Sequence, residues 1–341
     1  MNKLENKFVI VTAFHNAEPY IYQNLRQSQK QSFDDLGILF IDDASTDGTK
    51  ECVFNEMENI VEIESGKTWK GVFKDRKIIY HKNSERNSCP ALNQKAAIDK
   101  YISNTGTICG IVDGDDFLID TKAVEHVYNT MENGNYFMYS SSPVLIDGSD
   151  KVKGTRISIP FKNPYVIGNP PIRQQGWHFH HFRAFKKILS DNVDTGRSFY
   201  NPGGDFMDTA SDVTYFRPMF EMAGWHNIIV EPDKRFYGYR SELSTNDHVN
   251  VPIAQNRNTI FSSNAYSGLH FINGEQEAQD FMEEYKLHSS YLESPIYFSG
   301  ISNGKSGYHI WYPSCWHPDG ITGCSTPYDL LTGLYRPTIT P

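Results

Sequence analysis

The stretch Leu36-Gly37-Ile38-Leu39-Phe40-Ile41-Asp42-Asp43-Ala44-Ser45-Thr46-Asp47-Gly48-Thr49 runs from a continuous apolar block straight into two adjacent acids. Such a block, with β-branched residues, reads as a buried strand. Two carboxylates at the end of a buried strand are costly unless something binds them. The pattern recurs in GTICGIVDGDDFL, where an apolar run ends in Asp113-Gly114-Asp115-Asp116.

Between and around these two blocks the sequence alternates. KFVIVTAF reads as a first strand. HNAEPYIYQNLRQSQKQSF reads as a helix with Ile21, Leu25 and Tyr22 on one face. STDGTKECVFNEMENI reads as a second helix, with Ser45 or Asp47 as its N-cap. RKIIYHKN is a third strand and SCPALNQKAAIDKYI a third helix. This β-α-β-α-β-α-β order predicts an α/β fold with a doubly wound, mostly parallel sheet. Such sheets bind ligands at the carboxyl ends of their strands, where both acidic clusters fall.

The alternation stops after residue 135. NYFMYSSSPVLIDGSD reads as a strand and turn, and HHFRAFKKILSD as a helix. SDVTYFRPMFEMAGW is a better helix, with Val213, Phe216, Phe220 and Met222 at helical spacing. HNIIVEP and RFYGYR read as short strands, and EQEAQDFMEEYKLH as a late helix. The expected organisation is an α/β half over 1–135, an α+β half over 136–248, and a C-terminal extension over 249–341.

Composition narrows the function classes. The chain has 341 residues, 39% of them apolar, and a formal net charge of -9. The absence of a basic run argues against a nucleic-acid partner. No apolar run approaches the roughly 18 residues that span a bilayer. MNKLENKFVIVTAF lacks a signal-peptide layout, so a soluble, cytoplasmic protein is expected. Five scattered cysteines do not form a disulfide framework. Cys109 reads as core. Cys315, His317 and Cys324, with His309 nearby, fit no usual zinc spacing.

Taken together, these pieces resemble the family 2 glycosyltransferases of GT-A fold. VTAFHNAEPYIYQNLRQSQKQSF resembles the opening strand and helix, and IDDASTDGT the second-strand signature. NQKAAI followed by GIVDGDDFL resembles the helix and the DxD motif. SDVTYF with VEPDKRFYGYRSELST resembles the acceptor-side acid and the strand beyond it. The resemblance covers about residues 7–245 and leaves the tail unmatched.

The resemblance implies a metal-dependent, inverting transfer from a UDP-sugar to a glycan hydroxyl. Its DxD places Asp115 on Mn²⁺ or Mg²⁺ and Asp113 on the ribose or the metal, with Gly114 against the donor. Asp116 is able to replace either acid, and His248 is a further candidate metal ligand. Hard cations prefer carboxylate oxygens, which is why acids serve there. Asp43 is expected to accept the uracil N–H, with Asp42 holding the loop. Thr12, Ala13 and Phe14 would wall the base pocket. Family members often carry Tyr-Asn after the first strand, where this chain has Phe14-His15, so a phenol contact is lost and stacking remains. Arg86 is expected near the diphosphate, with Asn93 and Lys95 as weaker candidates.

The general base expected from the resemblance is Asp212, with Asp205 and Asp208 as competitors. Its other reading is an ordinary helix N-cap. In GWHFHHF, His178 and His180 share a face if the segment is extended, and one of the three histidines could contact the diphosphate or the metal. Trp177 could stack on a sugar. The tail aromatics Tyr308, Trp311, Tyr312 and Trp316 read as packing rather than carbohydrate contacts.

Three other readings fit these residues less well. A nucleotidyltransferase would normally carry a Gly-rich basic loop after its first strand, but FHNAEPY is acidic and glycine-free. A non-catalytic binding relic would not need acids at all three key places. A membrane-embedded polysaccharide synthase would need transmembrane helices and a QxxRW-type signature.

Overall fold

The protein is described here from a computed structural model. It describes residues 2–87, 89–162, 172, 175–177, 179–199, 211–224 and 227–240, with the backbone of strands within 269–272, 296–302, 305–311, 324–325 and 338–339.

The first half follows the expected alternation. It contains β1 (Phe8–Phe14), α1 (Glu18–Gln29), β2 (Leu36–Asp42), α2 (Thr49–Phe54), β3 (Glu58–Glu64), β4 (Thr68–Phe73), β5 (Arg76–Lys82), α3 (Pro90–Tyr101), β6 (Ile108–Ile111), β7 (Phe117–Leu118) and α4 (Ala123–Asn133). There follow β8 (Met138–Ser141), β9 (Val144–Ile146), β10 (Val152–Thr155), β11 (Arg183–Lys186), α5 (Lys187–Asp191), α6 (Thr195–Ser198), α7 (Ser211–Ala223), β12 (Ile228–Glu231) and β13 (Tyr237–Arg240).

Nine strands form the central sheet, in the order β12-β8-β11-β6-β1-β2-β5-β4-β3. β6, β1, β2 and β5 run parallel, and β11 is antiparallel to both β6 and β8. Every residue of β1 and β2 is buried, as expected for strands covered by helices on both faces. α1 lays Ile21 and Leu25, both fully buried, against this sheet, while Tyr22 points outward. Each such burial contributes about 1.5–3 kcal/mol. A smaller sheet of order β10-β9-β13-β7 brings β13 beside the exit of the DGDD turn.

Three sequence expectations need correction. The second helix stops at Phe54, and the segment read as its end enters β3, paired antiparallel with β4. α2 has Gly48 at its N-cap position, with no side-chain cap bond from that residue. Asp47, one position earlier, accepts from the Thr49 amide at 3.1 Å. HHFRAFKKILSD is β11 followed by the short α5 rather than one helix. A fully buried strand and a buried helix look alike in a short apolar run, and here sheet pairing on both edges decides.

The expected helix SDVTYFRPMFEMAGW is α7, with Val213, Phe216, Phe220 and Met222 all buried. Cys109 is core. Among the described residues no helix is long and apolar enough to cross a membrane. Three later strands, Leu269–Ile272, Ile296–Ser302 and Lys305–Trp311, pair in a separate sheet. The expected helix EQEAQDFMEEYKLH, Asp205, Asp208, His178, His248 and the side chains of the tail aromatics and of Cys315, His317 and Cys324 lie outside the described residues.

Candidate active site

The carboxyl ends of β1, β2 and β6 form one rim, because Phe14 is in register with Asp42 and Val11 with Ile111. Asp42 is fully buried at the end of β2. Its carboxylate accepts from the Ser45 amide at 2.6 Å and the Tyr80 hydroxyl at 2.6 Å, with Lys82 Nζ 3.6 Å away. Asp42 therefore holds the loop, by way of a backbone amide and a phenol that sequence reasoning did not single out. The grip is needed because Ala44 has φ 58, a left-handed conformation that costs a residue with a Cβ about 1 kcal/mol or more.

Asp43 is differently placed. Its amide donates to Phe14 O at 2.8 Å. Its Oδ1 accepts from Asn83 Nδ2 at 2.9 Å and the Asn87 amide at 3.1 Å. Asn93 accepts from both Asn83 and Asn87, so this helix residue belongs to the support of Asp43. Lys95 is instead ion-paired with Asp99 at 2.6 Å. Arg86 is exposed on the loop next to Asn87.

The loop is fastened to α1 by a reciprocal set of bonds. The Glu18 amide donates to Asp47 and the Gly48 amide to Glu18. The Ala17 amide donates to Thr49 Oγ1, and the Thr46 amide to Asn16 Oδ1.

Thr12 and Ala13 are buried at the end of β1. The Phe14 ring packs into the core, 5.7 Å from Phe40 and 6.1 Å from Tyr80. The ring thus supports the floor of the rim, which corrects the expectation that it stacks on a base. His15 Nδ1 lies 2.8 Å from Asp43 O. A Cβ on Gly114 would fall 2.4 Å from Phe14 Cβ, so only glycine lets the DGDD turn cross β1 this closely.

The DGDD acids are held from a distant strand. The Tyr237 hydroxyl accepts from the Asp113 amide and donates to Asp116 Oδ2, both at 2.9 Å. The Arg240 amide donates to Asp116 Oδ1 at 2.8 Å, and its guanidinium binds Asp115 O, Gln23 and Asp150. Asn24 Nδ2 donates to the carbonyls of Asp113 and Asp116, each at 2.9 Å. Asp116 is buried with both carboxylate oxygens accepting, so it anchors the turn rather than substituting for its neighbours. Asp113 and Asp115 are half-buried. Burial, then the charge of Asp115, pushes the Asp113 carboxyl up to about 7. Burial also raises Asp115, and Asp116 lies well above the carboxylate range.

Asp212 opens α7 and reaches the same place. Its Oδ2 is 3.3 Å from Arg183 Nη1, and its Oδ1 accepts from the Val213 amide at 2.8 Å. Arg183 also contacts His181 Nε2, which lies 3.5 Å from Asp113 Oδ2. His181 is stacked on Tyr237 at 4.5 Å, and burial together with Arg183 holds its imidazole well below its usual range, hence neutral.

Trp177 packs on Phe220, 5.7 Å away, which commits it to the core rather than to an open sugar face. His180 is tied through its backbone to Ser140 and Ser158. Among the described residues no three His, Cys, Asp or Glu side chains form a ready metal cage. Tyr237, Arg240 and Arg183 were missed by sequence reading. The one available signal was the alternation in RFYGYR, which puts residues 237 and 239 on one side of a strand.

The mixed sheet, with both acidic strand ends on one rim, has the GT-A fold. The family model for glycosyl transferase family 2 matches residues 9–200, more than half of the chain. The chain belongs to that family.

Solved structures similar to it include Staphylococcus aureus TarS 1-349 in complex with UDP, 14% identical with a TM-score of 0.47. That match covers 68% of this chain and 60% of TarS 1-349. The mannosyltransferase PcManGT from Pyrobaculum calidifontis, in complex with GDP-Man and Mn²⁺, is 17% identical with a TM-score of 0.48, over 76% of this chain and 64% of that one. Glucosyl-3-phosphoglycerate synthase from Mycobacterium tuberculosis is 13% identical with a TM-score of 0.42, over 75% and 79%. No curated protein matches the chain in sequence.

Proposed function

We propose that this glycosyltransferase moves a sugar from a UDP-sugar to a carbohydrate hydroxyl, with inversion, and uses Mn²⁺ or Mg²⁺. The observation that carries the reading is the crowding of Asp113 and Asp115 at the rim, with Asp43 on one side and Asp212 on the other. The protein's own donors leave the charge of these two acids poorly satisfied, since burial raises both carboxyls. That suits a hard cation held by one or two carboxylates plus substrate phosphates.

Asp113 and Asp115 would hold the ion, with His248 as a further candidate. A bound ion would neutralise the charge that builds on the departing diphosphate. Asp43, oriented by Asn83 and the Asn87 amide, accepts the uracil N–H. Arg86 is exposed on the donor side, and the buried Thr12, Ala13 and Gly114 form the floor beneath it. Asp212 takes the proton from the acceptor hydroxyl as its oxygen bonds to the anomeric carbon and the bond to the diphosphate breaks. The electron pair leaves with the diphosphate, in one step.

The test is UDP or other nucleotide release from UDP-, GDP- and dTDP-sugars, with Mn²⁺ or EDTA, for wild type and Asp115→Ala. Metal-dependent release from a UDP-sugar, lost in the variant, is expected. No release together with no calorimetric UDP binding would overturn the reading.

A further inference from the structure

We infer that Arg183 is a positioning residue that aims the Asp212 carboxylate at the acceptor hydroxyl and links it to the donor-side acids. The inference rests on the assignment of Asp212 as the base.

The geometry comes from register. Arg183 is paired with Ile111 on β6, two residues before Asp113, so its side chain starts beside the rim. It is almost fully buried, at 4% exposure. A buried guanidinium needs an anion. Asp212 supplies it through Nη1, while Nη2 meets neutral His181 and Nε has no hydrogen-bond partner among the described residues. The guanidinium also lies 4.7 Å from the Phe216 ring. Asp212 and Phe216 are four residues apart on α7 and so share a face. Arg183 therefore touches both ends of one helical turn and fixes how that turn presents its acid.

On the donor side, His181 Nε2, which accepts from Arg183, also lies 3.5 Å from Asp113 Oδ2. One cation thus sits between the acid of the acceptor side and the acid of the donor side. Without it, Asp212 keeps, among the described residues, only the bond from the neighbouring Val213 amide, and its released oxygen swings away from the hydroxyl it must deprotonate.

A merely structural arginine makes different predictions from a positioning one. UDP release with Mn²⁺ from UDP-glucose, UDP-galactose and UDP-N-acetylglucosamine is measured for wild type, Arg183→Met, Arg183→Lys, Asp212→Asn and the Arg183→Met/Asp212→Asn double variant. UDP affinity and Tm are measured on each.

Arg183→Met is expected to lower kcat about 100-fold, the size of a lost general-base contribution, with UDP affinity within about threefold. Arg183→Lys is expected to recover about tenfold, because it keeps charge but loses the planar fork. The double variant is expected to be no slower than Asp212→Asn, since residues acting as a unit are non-additive. A further large loss in the double variant would overturn the inference, as would wild-type kcat in Arg183→Met. If Arg183→Met does not fold, wild-type kcat in Arg183→Lys overturns it instead.

Full activity in Asp212→Asn sinks the base assignment and the inference together. An inactive Asp212→Asn beside an active Arg183→Met sinks the inference alone. No release from any of the three sugars in the wild type overturns both.

Discussion

The acids after β2 and those after β6 sit on the same rim but are answered by the chain in different ways. Asp42 and Asp47 are answered from within the chain, by Tyr80, Lys82, and the amides of Ser45, Glu18 and Thr49. Hydrogen bonds hold the Asp47 carboxyl below its usual range. The acids of DGDD are pushed the other way, by burial and by one another. The first group spends its charge on building a loop. The second keeps two half-buried carboxylates whose charge the protein does not fully settle, which is the condition a cation relieves.

Substitutions in the two regions should break the comparison in different currencies. Asp115→Ala is expected to cost about a thousandfold in metal-dependent turnover, the loss of several kcal/mol of charge stabilisation, with little change in denaturant midpoint. An equal loss in EDTA and Mn²⁺ would remove the contrast. Asp42→Asn is expected to do the reverse. It replaces a fully buried, hydrogen-bonded carboxylate facing Tyr80 and Lys82, so unfolding free energy should drop by about 3 kcal/mol. Urea titration at constant pH reads this out.

Tyr237→Phe tests whether the DGDD turn depends on β13. It leaves the Asp113 amide and one Asp116 oxygen without their partner. A cost of about 1–3 kcal/mol is expected, again by urea titration. Asp43→Asn should weaken calorimetric UDP affinity about tenfold, equivalent to the loss of one hydrogen bond to a charged group, while stability moves little. A variant that unfolds instead would place Asp43 with Asp42.

The remaining contrast is a pH dependence, read as a slope rather than as a single loss. The folded pKa of Asp113 is raised to about 7. The folded state therefore binds a proton that the unfolded chain has released above about 4. Stability from this group is full below pH 4 and is lost as pH rises toward 7. In EDTA, the stability difference between wild type and Asp113→Asn should shift against the wild type across that window. Mn²⁺ should flatten it, and a flat difference in EDTA would place Asp113 with the internally answered acids.

Much of this contrast was legible in the sequence. Both acidic strand ends, α1, α3 and α7 follow from local apolar pattern, and the paired signatures identify the family. The β3–β4 hairpin was not legible, because ENIVEIE carries three glutamates on an edge strand and continues a helical-looking run. β11 was hidden because a strand buried on both faces has no period to read. Tyr237, Arg240 and Arg183 act across separations that no local pattern encodes. Tyr237 reaches Asp116 over 121 residues and Arg183 reaches Asp212 over 29. The histidine-rich run drew attention to the right place, since His181 lies between Arg183 and Asp113.

Asn24 has a consequence for engineering. Its single amide group spans the carbonyls of Asp113 and Asp116, while the start of the same helix clasps the loop after β2. α1 is thus a common mount for the loop after β2 and the acidic turn. A library aimed at donor preference should include helix positions that touch no substrate. A small rotation of this mount would retune both ends of the nucleotide at once, whereas changes inside either loop would retune only one.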